Sequence, residues 1–268
     1  MNDFAPTSPF ATDQADGLRR LFAGQRQRLV PLVANPHVDD AAILLERLAS
    51  ALAEGGARLL VVDAADTSPA PHELVDIDLA GCIETLGPGM HYLAACGLPR
   101  RHVNARGSAE TWLQAIESVA TRADAIVLHA NARDLARLVG QRDVRPVLMC
   151  GVGNQSLTDA YTSMKLLAQR ARLMSFDLLV SANGRPQRAE ANAQRLALTG
   201  DHFLGAVVRG HAAIDCRGRA NAPLTADLQA LARAQLGEAA ETGFGPIAPS
   251  AAAWNAPAAC PELSSLLY

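Results

Sequence analysis

Residues 28–63 read RLVPLVANPHVDDAAILLERLASALAEGGARLLVVD, and this stretch decides the fold. Residues 28–34 (RLVPLVA) form an apolar run of strand length. Residues 41–54 (AAILLERLASALAE) place apolar side chains at helical spacing, and 57–63 (ARLLVVD) form a second apolar run ending in an acid. A strand–loop–helix–strand unit of this size is a βαβ crossover. Where such a loop receives phosphate it is glycine-rich and carries a lysine and a Ser/Thr, because backbone N–H groups must approach the anion and a cation must neutralise it. Here the loop reads Asn35-Pro36-His37-Val38-Asp39-Asp40-Ala41-Ala42, with no glycine, lysine or hydroxyl. Asp39 and Asp40 stand where the helix N-terminus would meet the anion and would repel it. They are expected to cap the helix instead. The unit therefore predicts a nucleotide-binding type of fold without its reaction. Pro31 lies inside the first strand and removes a ladder donor, which predicts a local distortion.

The same alternation continues outward. Residues 64–89 are loop-rich, with Pro69, Pro71 and Pro88, and MHYLAAC (90–96) reads as a third strand. SAETWLQAIESVATR (108–122) reads as a helix capped by Ser108, ADAIVLHA (123–130) and RPVLMCGV (145–152) as buried strands, and SLTDAYTSMKLLAQRARL (156–173) as a strong helix. FDLLVSA (176–182) is a strand, RPQRAEANAQRLALT (185–199) a helix, 203–214 holds a last strand and 222–237 a last helix. Continuous apolar strands alternating with helices predict an α/β fold: a doubly wound, mostly parallel sheet with helices on both faces. Three parts are expected: an N-terminal tail over 1–24 with a short helix at 12–23, an α/β domain over 25–237, and an Ala/Pro-rich, disordered tail over 238–268.

With 268 residues and 49% of them apolar, the chain can build one large domain. A net charge of −3 argues against a nucleic-acid partner. The five cysteines are widely spaced without a CxxC pair, which reads as reduced structural thiols and no metal site. No signal-peptide pattern and no membrane-spanning apolar run is present, so a cytoplasmic protein is expected.

Two segments resemble one family. Ser156-Leu157-Thr158-Asp159-Ala160-Tyr161 followed by Met164-Lys165-Leu166-Leu167 resembles the SLTDAY…IKLL segment of MinD/ParA-type ATPases. Asp13-Gln14-Ala15-Asp16-Gly17-Leu18-Arg19 resembles the DQAxxLR element of FlhG (FleN, YlxH), the MinD-like regulators of flagellar number and placement. The resemblance spans residues 12–215 and implies a MinD/ParA-like P-loop fold. It also shows departures. The family's Walker A, GKGGVGKT, falls on residues 35–42, which puts Asn35 at its first position, Pro36 at the signature lysine, Asp40 before the Walker lysine, Ala41 at that lysine and Ala42 at the Mg²⁺-binding threonine. Asp63 matches the first acid of the family's DAD segment, Ala65 stands at the second with Asp66 one place off, and His129 stands at the Walker B-like acid. Ser181 falls at the adenine-side asparagine, with Asn183 nearby. A degenerate nucleotide site with no ATP and no Mg²⁺ bound is the expectation, and so no ATPase activity.

What the resemblance implies for function lies at the N-terminus. The family's element activates an FlhF-like, SRP-type GTPase. Asp13, Gln14, Ala15, Leu18, Arg19, Leu21 and Phe22 are then the partner-binding residues. Gln14 would orient the attacking water, Arg19 would stabilise charge or dock, and the apolar residues would hold the partner. A scaffold or anti-activator binding a flagellar transcription regulator or basal-body protein is the alternative, and a MinD-like ATPase with a non-standard site is a second. The final helix and tail have few cations, so no direct membrane binding is expected, with polar localisation coming through the partner. A homodimer, if formed, is expected to be nucleotide-independent. His129, with no carboxylate beside it in sequence, reads as structural.

Overall fold

The computed structural model describes residues 27–217 and 223–237. The strands are β1 (Arg28–Val33), β2 (Leu59–Asp63), β3 (Glu84–Gly87), β4 (Met90–Ala94), β5 (Ala125–Ala130), β6 (Val147–Cys150), β7 (Ser175–Ser181) and β8 (Val207–Ile214). The helices are α1 (Ala41–Glu54), α2 (Leu98–Arg101), α3 (Glu110–Val119), α4 (Ala132–Val139), α5 (Asn154–Ala171), α6 (Pro186–Leu204) and α7 (Ala226–Leu236). All eight strands join one sheet in the order β3-β4-β2-β5-β1-β6-β7-β8. Every pairing is parallel except β3 with β4, which is antiparallel. The predicted doubly wound, mostly parallel sheet is the observed one.

The continuous apolar strands are buried because both faces are covered. One face packs Val30, Leu32, Leu59 and Val61 against Leu44, Leu48 and Leu52 of α1 and Leu228 and Leu231 of α7. The other packs Val33, Leu60, Leu128 and Leu148 against α3, α4, α5 and α6, through residues such as Ile116, Leu135, Met164 and Leu196. Each fully buried leucine contributes about 2 kcal/mol by leaving water.

Several expectations need correction. Pro31 causes no distortion: β1 stays in unbroken register with β5 from Arg28 to Val33. Arg28 N and Ala34 N both donate to the β5 side, so the alternating backbone turns Pro31 N toward β6. Pairing with β6 begins only at Leu32, so little of the ladder is lost. The loop-rich stretch 64–89 contains the edge strand β3, and residues 131–140, unassigned from sequence, hold α4 with Asn131 capping it through Asp134 N. The helix at 108–122 is shorter, with Ala109 at the cap position, while the Ser108 hydroxyl still accepts from Glu110 N at 3.2 Å. Helix α6 runs on to Leu204, where Gly205 takes a left-handed conformation and ends it. The N-terminal residues 13–22 and the tail from 238 lie outside the described residues.

The topology marks one place for function. The β1 connection crosses to β2 on one side and the β6 connection crosses to β7 on the other, although β1 and β6 are neighbours. Helix α1 then lies on one face and α5 on the other, opening a crevice at the carboxyl ends of β1 and β6. Open α/β sheets bind their ligands at such a switch point.

Candidate functional site

Asn35, at the start of the β1–α1 loop, crosses the crevice. Only 3% exposed, it donates from Nδ2 to Met149 O at 3.0 Å, to Ser156 O at 2.9 Å and to Ser156 Oγ at 3.1 Å. Its Oδ1 accepts from His37 N at 3.0 Å, the short-range bond that makes an asparagine a turn residue. Ser156 Oγ also accepts from Gly151 N at 2.7 Å. The first residue of the SLTDAY segment is thus the hub that ties the β1–α1 loop to the end of β6.

The loop folds inward on itself. Val38 N donates to Asn35 O and Ala41 N to Val38 O, at 3.1 and 3.3 Å. The Val38 side chain is buried in the α1-side core. It lies against Gly151, where an added Cβ would sit 3.6 Å from a Val38 methyl and 3.4 Å from Ser156 Oγ. Pro36, His37 and Asp39 face solvent, as does Ala42, while Ala41 is half-buried.

Asp40 occupies the cap position of α1, but its side chain makes no capping bond, contrary to expectation. Its carboxylate instead accepts from Ser181 Oγ at 2.9 Å. Ser181 ends β7, so this contact links the mouth of the crevice to a strand two places from β1.

Asp63 and His129 form a second cluster, on register-paired positions of β2 and β5. His129 Nδ1 lies 2.7 Å from Asp63 Oδ1. Tyr92 donates to Asp63 Oδ2 at 3.1 Å, and Ser68 Oγ donates to Oδ1. Burial alone would raise the Asp63 pKa, but the hydrogen bond and charge of His129, with Ser68 and Tyr92, outweigh it and hold the carboxyl below its usual range. Burial and the Asp63 charge push the Tyr92 hydroxyl up. His129 therefore does have a carboxylate partner, 66 residues away in sequence. Its buried Nε2 meets no hydrogen-bond partner among the described residues.

Ala65 is buried, and Asp66 is not brought to Asp63. It turns to Arg100 and Asn131, which also hold the buried Asp134 at 3.0 and 2.9 Å. Arg137 Nη1 donates to Asp134 as well, at 3.1 Å. Asp66, Arg100, Asn131 and Arg137 line a cleft of about 710 Å³ beside α4 and α5, with Asp134 buried behind them. Asp134 was not singled out from sequence, since a lone acid in a helical segment carries no signal of the cations the fold gathers around it. Among the described residues no group of three or more metal-ligating side chains occurs.

No family model and no curated protein matches the chain. Solved structures do. A chain of the MinC:MinD cell division protein complex of Aquifex aeolicus shares 14% identity at a TM-score of 0.55, over 81% of this chain and all of that one. A ParA family ATPase from Chlorobium tepidum TLS shares 13% identity at 0.52, over 78% of this chain and 98% of that one. Cobyrinic acid a,c-diamide synthase from Mycobacterium smegmatis shares 14% at 0.56, over 84% of this chain and all of that one. The fold is MinD/ParA-like; that a biosynthetic enzyme has it too means the fold alone does not fix the activity.

Proposed function

We propose that this chain is an FlhG-like placement regulator that works through partners and neither binds nor hydrolyses ATP. The observation that carries the reading is the Asn35 bridge to Ser156 across the switch-point crevice. A phosphate there needs free N–H groups and a cation. The N–H groups of His37, Val38 and Ala41 are already used inside the loop. Alanines stand at the head of α1, and Asp40 brings a negative charge to its N-terminus. At the position of a metal-side acid, His129 is paired with Asp63. Mg-ATP, which the fold implies, does not fit this donor set. The likeness to a MinD recorded together with MinC favours action through a partner.

The partner-facing element in this reading is Asp13–Phe22. Gln14 orients the attacking water in an FlhF-like, SRP-type GTPase, Arg19 stabilises charge or docks, and Leu18, Leu21 and Phe22 hold the complex. The test is GTP hydrolysis by the cognate GTPase with and without the full-length chain. A stimulated rate supports the activator role. Binding without stimulation removes it and favours a scaffold or anti-activator.

A further inference from the structure

The cleft beside α4 and α5, at about 710 Å³, falls within the range of small-ligand sites, and none of residues 35–42 lines it. Its charges are unevenly used. Arg100 pairs with both Asp66 and the buried Asp134, and Arg137 pairs with Asp134. Arg133 and Asp159 also line the cleft but join neither each other nor this network. Arg133 is exposed and meets no acid among the described residues. It is the second residue of α4, where a cation opposes the helix dipole, so helix stability does not explain it. Asp159 is half-buried on α5, and its carboxylate accepts no hydrogen bond among the described residues. Burial pushes its carboxyl up from the usual range, and the charge of His37 offsets that only in part.

Ser163 lies one helical turn beyond Asp159, lines the same cleft and is 8% exposed. The hydroxyls of Thr158 and Thr162 turn back onto helix carbonyls at 3.0 and 2.8 Å, whereas that of Ser163 makes no hydrogen bond among the described residues. A buried hydroxyl left without a partner is costly. Val103 and Leu166 add apolar wall. The two unspent charges are opposite. A simple anion would answer Arg133 and leave Asp159 unpaired, and a simple cation would do the reverse. A ligand that answers both carries a carboxylate and an ammonium, set apart by an apolar stem.

We propose that this cleft binds a small zwitterion of the ω-amino-acid type, its carboxylate on Arg133, its ammonium on Asp159, its stem along Val103 and Leu166, and Ser163 Oγ hydrogen-bonded to it. The site is separate from the β1–β6 crevice and stands whether or not the chain acts on a GTPase.

NMR titration of the ¹⁵N-labelled full-length protein tests it with three probes that share one kind of stem: 6-aminohexanoate, hexanoate and hexylamine. The zwitterion should shift the amides of 131–139 and 157–166 saturably, and each single-charge probe should bind about tenfold more weakly, having lost one charge-assisted contact. Arg133→Gln should bind 6-aminohexanoate no better than hexylamine, and Asp159→Asn no better than hexanoate. Ser163→Ala should weaken the zwitterion a few-fold and keep the order of the three. Arg133 is exposed and Asp159 half-buried, and circular dichroism checks that the variants fold. The absence of a saturable shift in wild type, shifts confined to other residues, equal affinity for the three probes, or the wild-type order retained in both charge variants would each overturn the proposal.

Discussion

Asn35 and Ser156, 121 residues apart in sequence, are joined by two hydrogen bonds from one amide group, at 2.9 Å to the Ser156 carbonyl and 3.1 Å to its hydroxyl. With a third bond to Met149 O, this amide spans β1, β6 and α5 at the point where the sheet's connections diverge. Asn35→Ala leaves two buried carbonyls without this donor and should cost about 2–3 kcal/mol. Asn35→Asp should cost at least as much, since it aims a carboxylate at those carbonyls. Urea unfolding of the two variants checks both.

The Asp63–His129 pair makes a statement about pH. The Asp63 pKa is lowered in the folded chain, so the unfolded chain holds that proton more tightly. Its contribution to stability is complete above the unfolded value, about 4, and is lost as pH falls below that toward the folded value. Asp63→Ala strands His129, Ser68 and Tyr92 together and should lower stability at pH 7 by about 3 kcal/mol. The variant's unfolding midpoint should also fall less steeply than the wild type's between pH 5 and 3, a range of about one unit on either side of that unfolded value. Equal slopes would remove the pair from the acid limb.

Self-association should not respond to nucleotide. Pro36 has no cation to extend into a partner's site, and the acid at the head of α1 is Asp40, already held by Ser181. Light scattering with and without Mg-ATP should give one mass. A mass that doubles with ATP would mean that a nucleotide-gated cycle survives.

The sheet was legible because its strands are unbroken apolar runs, buried on both faces by helices whose apolar residues recur at helical spacing. What escaped did so for physical reasons. Every residue of β3 but Gly87 is exposed, so it has no apolar pattern to read. Helix α4 follows β5 after a single residue, Asn131, and spans only Ala132–Val139, too short to show helical spacing clearly. At the site, the 35–42 loop was legible as one without the glycines, lysine and hydroxyl that phosphate binding uses. Which groups fill the gap was not legible, because Asn35 with Ser156, Asp40 with Ser181 and Asp63 with His129 are each joined only by the folded sheet. Pro31 shows the same limit from the other side: whether a strand proline costs a bond depends on which neighbour its nitrogen faces.

At the N-terminus, chemistry and docking should separate. Gln14→Ala should abolish GTPase stimulation while binding stays within about twofold, because the water-orienting amide goes and the apolar contacts remain. Leu18→Asp should instead weaken binding by about tenfold or more, by placing a charge in an apolar contact. Rates at saturating protein and affinities from anisotropy distinguish the two. Equal losses from both variants would contradict the division of labour.

The central claim is that the crevice at the ends of β1 and β6 is closed by the protein's own groups and takes no nucleotide. Calorimetric titration of the full-length protein with Mg-ATP tests it most directly. The account expects no heat of binding for wild type, and none for Asn35→Gly. A saturable isotherm with a micromolar dissociation constant would contradict it.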